Sequence, residues 1–364
     1  MSTEGSTINA IAAALLGRTR QPEYAADVQE MVAGKTVLIT GAGGSIGGEL
    51  ARQVNSLQPG RLVLLDRDES LLQSIQLDLS GNGLLRGRDL VLASIRDADR
   101  IDRVFEAVRP DVVFHAAALK HLPLLESYPH EAVLTNVLGT RNVVAAAVES
   151  GAATVVNVST DKAADPTSVL GASKRIAELI TQSHAVGFSR VSSVRFGNVL
   201  GSRGSFLPLL MDRMSAGLPV HLTHPEVSRY FMTIPEAAGL VVNAATLGTE
   251  GEVFVLDMGT PVKILDLIHN YAELTGLPLP KIVITGLRPG EKLQEVVFSD
   301  SEKHIPTEHP SIFRTVPEPL PDDLADRIAS FERIHHLTAA EVVDEFARAL
   351  NNYSPAKTLE GARK

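Results

Sequence analysis

Cysteine is absent from all 364 residues. Disulfides, thiolate metal sites and thiol nucleophiles are thereby excluded, and no metal is expected. Basic charge is not in excess either: 34 Lys and Arg stand against 43 Asp and Glu, for a formal charge of −9. Proteins that bind a phosphate backbone usually carry a basic face, so a nucleic-acid partner is not expected. An anionic small ligand is still compatible, because local groups rather than net charge hold it. No uninterrupted apolar run approaches the length that spans a bilayer. The N-terminus, "MSTEGSTINAIAAALLGRTR", lacks the basic start of a secretory signal. The protein is therefore expected to be cytoplasmic, with "INAIAAALLGR" as an amphipathic helix packed on the body. Internal repeats and low-complexity blocks are missing as well.

What is present is a soluble, globular balance of 44% hydrophobic and 21% charged residues. From residue 35, short β-branched runs alternate with longer helical stretches. The runs at 35–40, 61–66, 90–94, 111–117, 153–159 and 191–197 read as buried parallel strands, because near-continuous Val, Leu and Ile suits two covered faces. Helical candidates lie between them at 45–56, 69–80, 98–108, 130–150 and 168–186. This alternation predicts an α/β fold, a doubly wound parallel sheet with right-handed crossovers. After about residue 198 the rhythm breaks into short strands (219–223, 252–256, 281–284), helices (205–217, 234–246, 263–275) and Pro/Gly-rich loops. The expected division is an N-terminal helical segment and linker (1–34), a doubly wound domain (35–200), a smaller and partly discontinuous mixed α/β lobe for substrate (201–350), and a flexible tail (351–364).

"TGAGGSIGGEL" follows the first strand and opens a helix. Gly41, Gly44 and Gly47 fit G-x-x-G-x-x-G, with Ser45 and Ile46 at the helix start. Such glycines allow a tight turn and a close backbone approach to a pyrophosphate, while the helix N-terminus offers unpaired N–H groups. Asp66 ends the second strand nineteen residues after Gly47, where a carboxylate can hold a ribose diol. That carboxylate repels a 2′-phosphate and favours NAD over NADP, although the adjacent Arg67 could hold such a phosphate. Asp97, just past the third strand, is either a partner for the adenine amino group or an N-cap of the next helix.

In open α/β sheets, ligands bind beyond the carboxyl ends of the strands. The fourth strand ends in "HAAALKHLP" and the fifth in "STDKA", which brings Lys120, His121, Ser159, Thr160, Asp161 and Lys162 to one crevice. Asn136, inside an apolar helix, is expected to bind backbone near the fourth strand. Many nicotinamide enzymes place a catalytic tyrosine four residues before a lysine. In "STDKAADPTSVLGASK" the lysine is Lys174, and the tyrosine position is Leu170.

The motifs "TGAGGSIGGEL", "FHAAALKHLPLLE", "VSTDKAADPTSVLGASKR", "RFGNVLGSRGSFLPLL", "THPEVSRYFMTIPEA" and "TGLRPGEKLQE" together resemble the CapD-type polysaccharide-biosynthesis proteins. These are UDP-N-acetylglucosamine 4,6-dehydratases of the extended short-chain dehydrogenase/reductase superfamily, with a Rossmann domain. The resemblance runs from about residue 11 to 315. "LLGR" before the first strand resembles the linker of the long, membrane-anchored members, so the chain is similar to their catalytic half without the transmembrane half. Shorter members carry the tyrosine and invert C5 of the sugar; long members carry methionine and are associated with retention. Leu170 places this chain nearer the long type while departing from both.

The resemblance implies a tightly bound NAD that is regenerated in each turnover, with Ala116 and Lys174 joining the cofactor contacts named above. It implies Lys162 as the base at C5, Asp161 as the acid at the C6 hydroxyl, and Thr160 as a hydrogen-bond partner of the C4 hydroxyl. Desolvation and the Lys174 cation would lower the Lys162 pKa. UDP contacts are expected from Lys120, Asn198, Arg203, Arg229, Arg288 and Glu291. A homodimer or larger homo-oligomer is implied because first-domain helices commonly pair in this superfamily. A nucleotide-sugar epimerase of the same fold and a non-catalytic NAD- or UDP-sugar-binding protein are the alternatives.

Overall fold

The computed structural model describes residues 3–18, 22–82, 89–185, 190–248, 251–316, 319–350 and 353. Nine strands form the main sheet: β1 (Thr36–Thr40), β2 (Arg61–Asp66), β3 (Leu90–Leu92), β4 (Val112–His115), β5 (Thr154–Val158), β6 (Arg190–Arg195), β7 (Val253–Leu256), β8 (Ile305–Pro306) and β9 (Ile312–Thr315). Their order is β8-β9-β7-β6-β5-β4-β1-β2-β3. The seven strands from β7 to β3 run parallel, whereas β9 pairs antiparallel with β7 and β8 antiparallel with β9. The doubly wound expectation holds, and strand order reverses between β1 and β4. Register brings the strand ends level there: Thr40 pairs with His115 and with Leu65, and His115 pairs with Asn157. The residues that follow β1, β4 and β5 therefore meet in one crevice.

The helices flanking this half have local causes. Asp68 caps Glu69–Ser80 by accepting from the Leu71 N–H, and Gly81 ends it in a left-handed conformation. Ile234–Leu247 begins with a reciprocal cap between Thr233 and Glu236. The expected 130–150 helix starts at Pro129 and contains a π-helical turn, Val133–Leu138. That turn holds Asn136, whose side-chain oxygen accepts from Leu119 N–H at 2.8 Å while its amide donates to Leu119 O and Ser173 Oγ, both at 3.0 Å. The expected backbone-binding role of Asn136 is what the structure shows, and it holds the loop after β4 against Val169–Ser183.

Beyond residue 200 the chain contributes to both the main sheet and the smaller lobe. β7 and β9 extend the main sheet, and Ile234–Leu247 packs on Ser45–Ser56 in the main core. The small lobe is left with short strand pairs, such as Ile282–Ile284 with Val220–Leu222, and the helices Phe206–Ser215 and Ile264–Thr275. Rhythm reports a strand's presence but not which sheet receives it. Thr3–Leu16 is the expected N-terminal helix, burying Ala12 and Leu15 in the lobe's apolar cluster. Arg18 fastens its end by donating to the backbone carbonyls of Phe231 and Met258 at 2.8 and 2.9 Å.

The C-terminal helices Leu324–Ser330 and Ala339–Ala349 lie against the first-domain helices, sharing one apolar cluster with Val137, Ile176 and Ile180. These C-terminal helices thus cover in cis part of the apolar surface of the first-domain helices. Tyr353 is buried in the same cluster; the rest of the expected 351–364 tail lies outside the described residues.

One buried ion cluster ties sheet, helix and lobe together. Arg195, at the end of β6 and fully buried, donates to both carboxylate oxygens of Glu178 at 2.7 Å and to Glu302 at 2.7 Å. Replacing one partner strands the others in a low-dielectric interior. Arg195→Ala is expected to cost about 3–5 kcal/mol, read as a lowered urea midpoint.

Candidate active site

The glycine turn after β1 is packed too tightly for side chains. Gly41 has φ +68°, and a Cβ there would lie 2.6 Å from Ala117 N. A Cβ on Gly47 would lie 2.1 Å from the Gly41 carbonyl oxygen. Gly44 is the N-cap of Ser45–Ser56 and no side chain satisfies that helix end. Its first N–H groups are available for an anion, and the cradle fits a diphosphate. Ile46 packs against the main core. Ala116 follows β4 directly, its carbonyl carbon within 2.8 Å of where a Gly41 Cβ would lie. Asp66 accepts from Gly43 N–H at 2.9 Å and Asp68 N–H at 3.0 Å, so it shapes the turn as well as standing beside it. Arg67 is exposed. Of the two roles open to Asp97, the structure displays the cap: it accepts from Arg100 N–H at 3.0 Å.

A cleft of about 260 Å³ adjoins this turn, lined by Gly43, Gly44, Ser45 and Arg203, with Ile8 and Asn9 of the N-terminal helix. Arg203 was expected on the sugar nucleotide. It lies instead on the glycine turn: its backbone N–H donates to Ser45 Oγ at 3.0 Å and its guanidinium to Gly43 O. Lys120 reaches toward the same loop, donating to Ser202 Oγ at 3.3 Å. Burial, then the Arg203 cation, lowers its pKa. His121 abuts the Gly204 position and starts the short helix Leu122–Ser127.

The end of β5 carries a buried polar cluster. Asp161 is fully buried, and its Oδ1 accepts from Thr160 Oγ1 at 2.9 Å and from Lys162 Nζ at 3.0 Å. Its other oxygen, Oδ2, is buried with no hydrogen-bond partner among the described residues. Lys162 Nζ also lies 3.5 Å from Asn198 Oδ1 and 3.7 Å from Glu295 Oε1. Asn198 therefore stands beside Lys162, whereas a UDP contact was expected of it. The expected lowering of Lys162 is reversed. Burial does oppose its charge, but the Asp161 carboxylate and then Glu295 outweigh it and raise the pKa above the usual lysine value.

Glu295 was missed. It ends "GEKLQE", and nothing in that run distinguishes it from Glu291; only the tertiary fold brings it to Lys162. Its carboxyl is almost fully buried, and burial, followed on the raising side by the Asp161 charge, lifts its pKa against the lowering effect of Lys162, Arg229 and Lys292. Lys292 clamps this segment to the loop after β5, donating to the Asp165 carboxylate at 2.5 Å, and Thr167 Oγ1 donates to Gly290 O at 3.3 Å. Arg229 and Glu291 form a pair at 3.0 Å, with Arg229 also donating to Leu293 O, so both brace the segment from within. Arg288 extends into solvent and donates its backbone N–H to Glu291 at 3.2 Å.

Lys174 lies in the helix Val169–Ser183, 4% exposed, and its Nζ has no hydrogen-bond partner among the described residues. Burial, opposed by Glu178, pushes its pKa down to about 8. An orphaned ammonium beside the strand ends fits hydroxyls of a bound ribose. One turn earlier, Leu170 is buried in the apolar cluster with Val137 and Ile176, so no titrating group stands at that position. His115 is fully buried between Thr40 Oγ1 at 2.7 Å and Thr140 Oγ1 at 3.0 Å. Burial and then Lys174 push its pKa down to about 3, which leaves it neutral.

Residues 37–317 match the polysaccharide biosynthesis protein family. The chain belongs to that family. Its relative, the capsular polysaccharide biosynthesis protein CapD of Staphylococcus aureus, is 42% identical over 355 residues, which is 96% of this chain but 56% of the relative's length. The chain thus spans little more than half of that protein. Among solved structures, Pen from Bacillus thuringiensis superposes with a TM-score of 0.72 at 34% identity, covering 79% of this chain and 89% of Pen. The Thermus thermophilus UDP-glucose 4-epimerase complex with NAD shares the fold, with a TM-score of 0.61 at 22% identity over 72% of this chain and 90% of the epimerase. The family member described here has the Rossmann-type architecture of the extended short-chain dehydrogenase/reductase enzymes. No helix among its described residues is long and apolar enough to cross a membrane.

Lys174 offers a direct check on the site's electrostatics. A folded pKa of about 8 against an ordinary 10.5 means the unfolded chain binds more protons between those pH values. The nucleotide-free protein should therefore gain stability from Lys174 as pH rises through that window, and carry the full penalty below it. Lys174→Met should remove a penalty of roughly 3 kcal/mol at neutral pH, seen as a higher melting temperature and a flatter pH dependence.

Proposed function

We propose that this chain is an NAD-dependent UDP-N-acetylglucosamine 4,6-dehydratase that retains configuration at C5. The observation that carries this reading is the buried Asp161–Lys162 hydrogen bond at the end of β5, with one Asp161 oxygen left unpartnered. An epimerase needs only to oxidise and re-reduce C4, whereas a paired acid and base at one strand end suits removal of water. The family's place in polysaccharide biosynthesis supports a nucleotide-sugar substrate.

The glycine turn would hold the NAD diphosphate, Asp66 the adenosine ribose and Lys174 the nicotinamide ribose. Arg203, lying on that turn, is assigned to the cofactor diphosphate. NAD bound there would accept the hydride of C4 and return it at C6. Thr160 takes the C4 hydroxyl proton and passes its own to Asp161 Oδ1, a relay already in hydrogen-bond contact at 2.9 Å. The resulting ketone acidifies the C5 proton, which Lys162 removes as an amine. Asp161, now protonated, gives its proton to the departing C6 hydroxyl. With no tyrosine at position 170, the Thr160–Asp161 relay supplies the base at C4. Asn198 is placed to orient Lys162, while Lys120, Arg229, Arg288 and Glu291 form or brace the UDP side.

Incubation with UDP-N-acetylglucosamine and no added cofactor should yield a sugar nucleotide lighter by one water, with C5 configuration retained by NMR. Lys162→Met and Asp161→Asn should each slow this by about 10²–10⁴-fold or more while keeping bound NAD. An unchanged substrate mass with NAD in place, or a C4 epimer as product, overturns the dehydratase reading.

A further inference from the structure

Lys162 can take the C5 proton only as an amine, yet the structure holds it as an ammonium between carboxylates, 3.0 Å from Asp161 and 3.7 Å from Glu295. Asp161 is not available to relieve it, because the C4 hydroxyl proton arrives there through Thr160. Among the described residues, Glu295 is the other carboxylate in reach of Lys162 Nζ. Its side chain is 4% exposed, on a segment fastened to the catalytic loop by Lys292 and Asp165. We propose that Glu295 accepts the Lys162 ammonium proton once the sugar covers the site, closing a proton circuit among Asp161, Lys162 and Glu295. This rests on the dehydratase reading.

The circuit balances. At the start Asp161 and Glu295 are carboxylates and Lys162 is an ammonium. As hydride leaves C4, the C4 hydroxyl proton comes to Asp161; an N–H bond of Lys162 breaks and an O–H bond forms on Glu295. All three groups are then neutral. Lys162 takes the C5 proton, and the freed electron pair expels the C6 hydroxyl, which leaves as water with the Asp161 proton. Hydride returned to C6 sends electrons to C5, where Lys162 restores the proton. Glu295 then re-protonates Lys162. One water has left, its extra proton having begun on the C4 hydroxyl, and no exchange with solvent was needed.

The physical driving term is desolvation. A sugar seated over the pair removes the water that favours separated charges, and a neutral amine and carboxylic acid then cost less than an ion pair. Burial already lifts the Glu295 carboxyl, while Arg229 and Lys292 on its own side favour its return to carboxylate. The 3.7 Å separation is one that rotation of the glutamate side chain can shorten, as catalytic hydrogen bonds tighten with substrate bound.

Glu295→Gln keeps size and polarity but cannot take a proton. At neutral pH with UDP-N-acetylglucosamine, it should oxidise C4 and accumulate reduced nicotinamide absorbance. Water loss should fall about 10²-fold or more, and C5 should gain no solvent deuterium. Raising the pH should restore turnover, because losing the carboxylate lowers the Lys162 pKa and solvent can then take its proton. Glu295→Asp should keep the wild-type pH profile at reduced kcat, and calorimetric affinity for UDP should be unchanged in both variants. Wild-type dehydration and C5 exchange by Glu295→Gln at neutral pH overturns the proposal. So does a loss of activity at every pH together with lost UDP affinity, which marks a supporting role only. Wild-type protein that removes no water overturns the dehydratase reading, and the circuit with it.

Discussion

The bidentate pair of Arg195 with Glu178 is the joint on which this molecule turns. Arg195 ends β6, Glu178 sits one helical turn after Lys174, and Glu302 brings in the segment that follows Glu295. Glu178 also accepts from Ser159 Oγ at 2.6 Å, directly after β5. A fully buried guanidinium is tolerated only when its donors are matched, and the matching partners come from two separate stretches of chain, the helix Val169–Ser183 and the segment around Glu302. The sheet, the loop after β5, the helix that carries Lys174 and the segment after Glu295 are thereby held in one mutual arrangement.

That arrangement makes sense of the exchanged position at 170. Where a tyrosine would present a hydroxyl to the crevice, Leu170 joins an apolar cluster shared with the C-terminal helices. The proposed proton chemistry falls instead at the end of β5, where Thr160, Asp161 and Lys162 are hydrogen-bonded in series. Lys174, relieved of a neighbouring phenol, keeps an unpartnered ammonium in a buried place, a cost that a bound polar ligand would offset.

Much of the doubly wound half was legible in order. Ser45–Ser56, Glu69–Ser80 and Ala98–Val108 appear where the strand–helix rhythm placed them, and in the structure Asp68 and Asp97 begin, and Gly81 ends, two of them by short-range hydrogen bonds. The lobe boundary was not legible. Val253–Leu256 reads as a buried strand in any sheet, and its partner Ser193 stands sixty residues away along the chain. The π-helical turn at Val133–Leu138 was equally hidden; it carries Asn136, whose partners Leu119 and Ser173 are brought to it by the tertiary fold.

The sequence by itself determined the glycine turn, the carboxylate after β2 and the Thr160-Asp161-Lys162 run, because each is contiguous and its spacing is its geometry. Only the tertiary structure decided the charge state around them. Whether Lys162 is raised or lowered depends on which carboxylates approach it, and Glu295 arrives from a loop more than a hundred residues later. The same holds for Arg203, which motif order aimed at the substrate and packing laid on the glycine turn. Contiguous motifs fix which groups are present at a strand end; Coulomb interactions depend on distances between segments that only folding brings together.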